Sequence, residues 1–265
     1  MKGECRMKKN KGLLLITILV FSFLFVPLIL ILITSFTSGD YVAFPPVGFS
    51  LKWYTKVFNT QSFVDAFKLS IQISTAATVL SLIVGIPGAY AMSRFNFKGK
   101  GFMKTFFFSP NIIPQVVMGF ALFQFIIIKM GLSVTIGLLV GLTVSIITYA
   151  LRIIGASIEG LDYSIEEAAM ILGANKVKTF FIIVLPNISS GILSAFLLAF
   201  ISAFNNVPVT IFLSGPGITT LPVAMMNYVE YNYDPTVSAL SVMMMAMSMF
   251  IMLLMEKVLK VKTVS

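Results

Sequence analysis

The chain has 265 residues, 58% of them hydrophobic and only 11% charged, with a mean hydropathy of +0.98. Soluble domains carry about a quarter charged residues, so a surface wetted on all sides is excluded and one facing lipid is implied. His is absent and Cys5 is the single cysteine, which closes most routes to metal binding, redox work or His-based proton transfer. The net charge of +9 does not point to nucleic acid, because the basic residues sit in short groups beside apolar segments rather than on one solvated face.

A helix crossing hydrocarbon needs about 20 apolar residues. Six segments meet that length: 13–34, 67–93, 105–128, 133–151, 180–204 and 237–255. The first follows a basic stretch, as a secretory signal does. Its apolar run is longer than the roughly 7–15 residues of an h-region and no small-x-small site follows, so it is read as a retained helix. Residues 36–66 form a long loop with Pro45-Pro46 and Gly48, then a short amphipathic stretch from Leu51 to Phe58 whose Trp53 and Tyr54 suit a lipid–water boundary. A second long loop, 206–236, carries Gly215-Pro216-Gly217 and the aromatic run Tyr228 to Tyr233.

Orientation follows from Lys and Arg. With the N-terminus inside, 15 of the 19 basic residues fall in cytoplasmic segments, leaving Lys52, Lys56, Lys68 and Lys129 outside. Such a bias sets topology. The expectation is an all-α integral membrane protein with six transmembrane helices, both termini cytoplasmic, and a short cytoplasmic helix between spans four and five. Three regions result: the tail, first helix and loop (1–66), a five-helix transmembrane domain (67–256) and a cytoplasmic tail (257–265).

Between Arg152 and Phe180 the chain changes character. Ser164 followed by Glu167 has the spacing of a capping box, and Glu166 and Glu167 place negative charge in a first helical turn. Ala168 and Ala169 leave a thin face, Gly173 suits a C′ position, and Asn175 suits the cap of the next helix. The spacing predicts a helix from Ile165 to Leu172, lying across the membrane normal. Pro186 is expected to break the hydrogen-bond ladder low in the fifth span.

Polar residues inside spans have two readings. Gln72, Gln115 and Gln124 line a pathway or bond neighbouring helices. Gly137-x-x-x-Gly141 favours helix contact, and Gly85, Pro87 and Gly88 flex or kink the second span. The sixteen methionines, Met243 to Met245 included, are packing and lipid-facing bulk. No acid lies well inside any span, so an ion-coupled secondary transporter is disfavoured, as is an intramembrane enzyme. No catalytic or metal-ligating set is assigned.

The run Glu167-Ala168-Ala169, Gly173, Ile183 and Leu185-Pro186 resembles the EAA loop of the membrane subunits of binding-protein-dependent ABC importers. Asn205-Asn206-Val207-Pro208-Val209, Ser214-Gly215-Pro216-Gly217 and Thr219-Thr220-Leu221-Pro222 are similar to the end of the fifth span in the spermidine/putrescine permease subgroup. So is Pro45-Pro46-x-Gly48-Phe49-Ser50-Leu51-x-x-Tyr54, and the resemblance covers most of the chain. It implies a non-catalytic, multi-pass permease subunit of the bacterial inner membrane, working with two ABC ATPases, a second permease subunit and an extracytoplasmic solute-binding protein. ATP and Mg2+ would belong to the ATPase, since this chain lacks a Gly-x-x-x-x-Gly-Lys-Ser/Thr phosphate loop. The resemblance carries coupling roles onto Glu167, Ala168, Ala169, Gly173, Leu185 and Pro186, with Glu166 beside them in the same loop. Asn205 and Asn206, in the region similar to the permease subgroup, and Gln72 and Gln115, as polar residues within spans, are the candidate pathway residues. Polyamine permeases would be expected to carry acidic side chains near Asn205-Asn206, where this chain has neutral amides. The solute is therefore a polyamine or another small organic molecule such as 2-aminoethylphosphonate.

Overall fold

The computed structural model describes residues 11–263, and Cys5 with the basic tail before Lys11 lies outside them. Among the described residues the regular structure is helical apart from a single antiparallel bridge between Gly215 and Ile218. The helices are α1 (Lys11–Ser35), α2 (Lys52–Asn59), α3 (Gln61–Arg94), α4 (Lys100–Phe108), α5 (Gln115–Leu122), α6 (Val134–Glu159) and α7 (Tyr163–Ile171). They continue as α8 (Lys176–Thr179), α9 (Leu185–Asn187), α10 (Ser189–Phe204), α11 (Thr210–Leu213), α12 (Leu221–Tyr231) and α13 (Thr236–Thr263). Two compact units result, one of the described residues through Thr60 with Tyr228–Ala246, the other of Gln61–Asn227 with the described residues from Met247 onward.

Among the described residues four helical stretches are individually long and apolar enough to cross a membrane: Leu14–Ser35, Gln61–Arg94, Val134–Glu159 and Thr236–Leu254. The pair Lys176–Asn187 and Ser189–Phe204, bent by 69°, makes a fifth when taken as one span. The expected third span, 105–128, is not one helix. It stops at a short 3-10 turn, Ser109–Asn111, and resumes at Gln115 as α5, which continues through a π-helical turn to Lys129. Pro114 explains the break, because it has no N–H to donate and keeps the preceding residue out of helical conformation. The buried Thr148 hydroxyl of α6 donates to the freed Phe107 carbonyl at 3.2 Å, as a broken helix in lipid requires.

In the larger unit α3, α6 and α10 pack together on small residues. Ser70, Ser74, Ala77, Ser81, Gly85 and Ala89 form the buried stripe of α3, and Ala195, Ala199 and Ala203 that of α10. A Cβ on Gly85 would lie 2.8 Å from the Ala150 Cβ of α6, and one on Gly141 would collide with Leu213. The glycines singled out from sequence are thus contact points, as lipid-embedded helices use them. One core joins Ile73, Ala77, Leu138, Leu142, Ile146 and Ala199. A second joins Leu82, Ala150, Ile154, Ile158, Val184 and Ile188.

In the smaller unit the Trp53 indole is buried and donates to the Thr37 carbonyl at 2.9 Å. Lys56 bonds Asp234 at 2.5 Å, and Asp234 also accepts from the Tyr228 hydroxyl and the Thr236 amide. Burial pushes the Asp234 carboxyl up, but the bonds from Lys56, Thr236 and Tyr228 outweigh it and hold it below its ordinary value. The Asp234 bond raises Lys56 above its ordinary value.

Two outcomes follow from this packing. Gly141→Leu should lower stability by about 1–3 kcal/mol through overpacking, whereas Gly101→Ala, with open space around it, should leave the thermal midpoint in detergent unchanged or raise it. The Lys56–Asp234 tether should hold at neutral pH, weaken as pH falls through the depressed Asp234 range, and weaken again as pH rises through the raised Lys56 range. Trp53, the only tryptophan, reports this: its emission should shift on acidification in the native chain and much less in Asp234→Asn.

Candidate functional site

The segment after α6 builds a compact elbow. Asp162 sits in extended conformation at the N-cap of α7, and its Oδ1 accepts the Ser164 amide at 2.9 Å. That backbone bond holds the Asp162 carboxyl below its ordinary value. The expected capping box from Ser164 to Glu167 is therefore displaced: Asp162 does the capping, and α7 begins at Tyr163 rather than Ile165. The Asp side chain reaches the amide two residues on, which starts the helix earlier than the Ser–Glu spacing indicates.

The C-terminal end matches expectation. Gly173 has φ +92°, its amide donates to the Met170 carbonyl, and the Ala174 amide donates to the Ala169 carbonyl. These two bonds form a Schellman motif, which needs a residue at positive φ. Asn175 Oδ1 then accepts the Lys178 amide at 2.8 Å and caps α8. The chain continues through a π-helical turn, Phe180–Val184, into α9, and the 69° bend lies between Asn187 and Ser189. Pro186 stands near the end of the continuous helical run Lys176–Asn187, where it has no N–H to give to the ladder, and the bend falls just after it.

The two adjacent glutamates part ways. Glu167 and Ala168 are exposed, and Ala169 is half-buried. Glu166 is turned into the chain and is 1% exposed. Its Oε1 accepts from Arg94 Nε at 2.7 Å and its Oε2 from the Tyr90 hydroxyl at 2.8 Å. Arg94 also donates through Nη2 to the Leu161 carbonyl at 2.7 Å and lies over the Tyr163 ring at 5.3 Å. One buried carboxylate thus ties α7 to the end of α3. Breaking such a pair by removing one partner costs about 3–5 kcal/mol. Sequence reasoning used Arg94 only for orientation and missed Tyr90; a lone Arg at a helix end, 72 residues from its partner, carries no local signal. Also missed were Ile171 and Leu172, 85% and 88% exposed. They give the free face of the elbow an apolar edge beside Glu167.

The four pathway candidates do not share one site. Asn206 is buried; its Nδ2 donates to Gln115 Oε1 at 3.2 Å and its Oδ1 accepts the Val209 amide at 3.0 Å. Thr210 donates to the Asn206 carbonyl and accepts from Thr220, and the Leu221 amide donates to Ser70 Oγ at 2.7 Å. This polar layer folds the irregular stretch after α10 against α3 and α5. Asn205 is exposed and bonds back to the Ile201 carbonyl. Gln72 lines a separate cavity of about 570 Å³ with Asp65, Lys68, Thr135 and Thr219. Gln124 is exposed. No group of three or more metal-ligating side chains occurs among the described residues.

Comparison with known proteins fits this architecture. The family model of the binding-protein-dependent transport system inner membrane component matches residues 77–260. The putrescine transport system permease protein of Escherichia coli (strain K12) is 33% identical over 242 residues, covering 88% of this chain and 85% of that one. The spermidine/putrescine transport system permease protein of Haemophilus influenzae is 30% identical over 238 residues, covering 89% and 91%. Among solved structures, a bacterial ABC transporter involved in alginate import matches with a TM-score of 0.73 at 21% identity, covering 97% of this chain and 99% of that one. A methionine ABC transporter in inward-facing conformations matches with a TM-score of 0.66 at 15% identity, covering 77% and 97%.

Two variants check the elbow. Asp162→Ala should destabilise α7 by about 0.5–2 kcal/mol through the lost cap, and Ser164→Ala should change it far less. Amide exchange across 163–172 measures both, and an effect of Ser164→Ala as large as that of Asp162→Ala would contradict the assigned cap. From the matched family and the relatives together, the chain is a member of the binding-protein-dependent transport system inner membrane components: a non-catalytic, multi-pass permease subunit of an ABC importer.

Proposed function

We propose that this permease carries a polyamine of the putrescine/spermidine type. The observation that carries the reading is the 33% identity, over 88% of the chain, to a putrescine permease. The cavity holding Gln72 adds the Asp65 carboxylate, a group suited to an ammonium. Lys68 on the same wall opposes a cation there, so selectivity for charge would rest largely on the delivering protein. Asn206 and Gln115, locked to each other, would shape the pathway through donors and acceptors rather than charge.

The same reading gives the chain two ATPase subunits, a second permease subunit and an extracytoplasmic binding protein, with its termini in the bacterial cytoplasm. The alginate transporter solved in complex with its periplasmic protein supports the extracytoplasmic binding protein among these partners. The α7 elbow would be the coupling helix. Glu167, Ala168 and Ala169, with Ile171 and Leu172, would enter the ATPase, Gly173 would hold the turn, and Leu185-Pro186 would carry the motion into α10. Closure of the ATPases on ATP would move the elbow and open the pathway outward; hydrolysis would reset it.

The chain should be purified in mild detergent with its genomic neighbours, beside Gly173→Val and Glu167→Ala. An ATPase should co-purify with the native chain and be lost with Gly173→Val. Glu167→Ala should reduce ATP-driven uptake by about tenfold, the scale of one charge-assisted contact. In proteoliposomes labelled putrescine should be taken up and 2-aminoethylphosphonate should not. Uptake of the phosphonate alone would overturn the polyamine assignment.

A further inference from the structure

Glu166 is the buried carboxylate of the elbow, and its partners come from another helix. The α7 helix has little hold of its own on the bundle: Tyr163, Ile165, Glu167, Ala168, Ile171 and Leu172 are all exposed. The strongest bonds joining it to the long helices are those from Arg94 and Tyr90, both on the last turns of α3. Arg94 meanwhile holds the Leu161 carbonyl at the entrance to α7. The guanidinium therefore pins both the start and the first turn of the elbow, in the planar, forked geometry that a lysine cannot reproduce. Around the pair, Tyr90 packs against Phe95 and Phe180, and Lys176 lies over the Phe95 ring at 5.4 Å. The far side of the elbow is thus attached to the same helix end.

We propose that Arg94 and Glu166, aided by the Tyr90 hydroxyl, form the rigid joint through which movement of the coupling helix is delivered to α3. They are positioning residues: neither reaches the ATPase-facing side of the elbow. The route is distinct from the one along the chain through Leu185-Pro186, which reaches α10 only after a π-helical turn and a 69° bend. α3 is the helix that also carries the Ser70 bond to Leu221 and the Gln72 cavity. Rigid linkage at Arg94 therefore connects the elbow to the helix bearing the polar layer. This inference rests on the importer reading given above.

The test uses the assembled importer with its ATPase in nanodiscs, in a Cys5→Ser background with Asn205→Cys as reporter. Labelling by a membrane-impermeant maleimide is compared without nucleotide and after trapping with ATP and vanadate. In the native chain trapping should change labelling severalfold. Arg94→Met combined with Glu166→Leu removes the joint without stranding a buried charge, so the complex should still assemble and trap nucleotide. Its labelling response should fall about fivefold or more, the usual scale of a lost coupling between sites. Arg94→Lys, which keeps the charge but not the fork, should retain part of the response. A double variant with the full native response would overturn the joint while leaving the importer reading intact. No response in the native chain, despite nucleotide trapping, would overturn the reading on which the joint rests. A double variant that no longer binds the ATPase would also overturn the proposal, since the pair would then shape the docking face itself.

Discussion

The requirement that every backbone polar group find a partner without water governs this chain. A continuous helix meets it internally, and α1, α3, α6 and α13 do. Each interruption has to be answered from elsewhere. The break before Pro114 is answered by Thr148, the end of α10 by Asn206, and the start of α12 by Ser70. All three responders are buried, so Thr148, Asn206 and Ser70 mark where the chain departs from helical geometry. Two amides read as pathway lining, Asn206 and Gln115, are part of this repair.

Close approach is the second consequence. Hydrophobic burial gives helices little reason to associate in lipid, so contact area and dispersion matter more. Small side chains on α3 and α10 let both helices lie against α6, and the larger Leu and Ile side chains of α6 fill the grooves. Gly119 shows the limit: a Cβ there would stand 2.9 Å from the Pro208 carbonyl oxygen and the Val209 Cα. A helix face meets bare backbone at that point, and the irregular stretch after α10 is seated by it.

Much of the fold was legible because its signals are local. Long apolar runs gave the first and sixth segments closely and the cores of the second and fourth, although α3 begins earlier, at Gln61, and α6 runs on past Arg152 to Glu159. The positive-φ glycine after α7 followed from its place behind two alanines and a short apolar run. The third and fifth segments were misjudged in continuity. Hydropathy records how apolar a stretch is, while Pro114, the π-helical turns and the bend after Asn187 change direction without changing apolarity. At the elbow, Asp162 and Ser164 are both good caps and only geometry chose between them. The Arg94–Glu166 pair was invisible for a different reason: two adjacent glutamates look alike in sequence, and which one turns inward depends on a helix packed from far along the chain.

The α1 helix stands apart in its surroundings. Its residues from Leu14 to Leu30 are exposed all round, and none of its most apolar window is buried. Over that stretch no face of the helix is buried against the described chain, and it is held by partition into lipid, with each Leu, Ile, Phe or Val contributing about −0.3 to −0.6 kcal/mol at the membrane centre. Only its last turn is anchored, by the buried Thr34 and Ser35 bonded to Ser238 and Tyr54. Its identity is therefore set by total apolarity rather than by any one contact. Exchanges among Leu, Ile, Val and Phe along it leave that partition nearly unchanged, whereas enlarging one residue of the small stripes of α3 or α10 pushes two helices apart. The segment richest in large apolar side chains is thus the one least particular about which of them it carries.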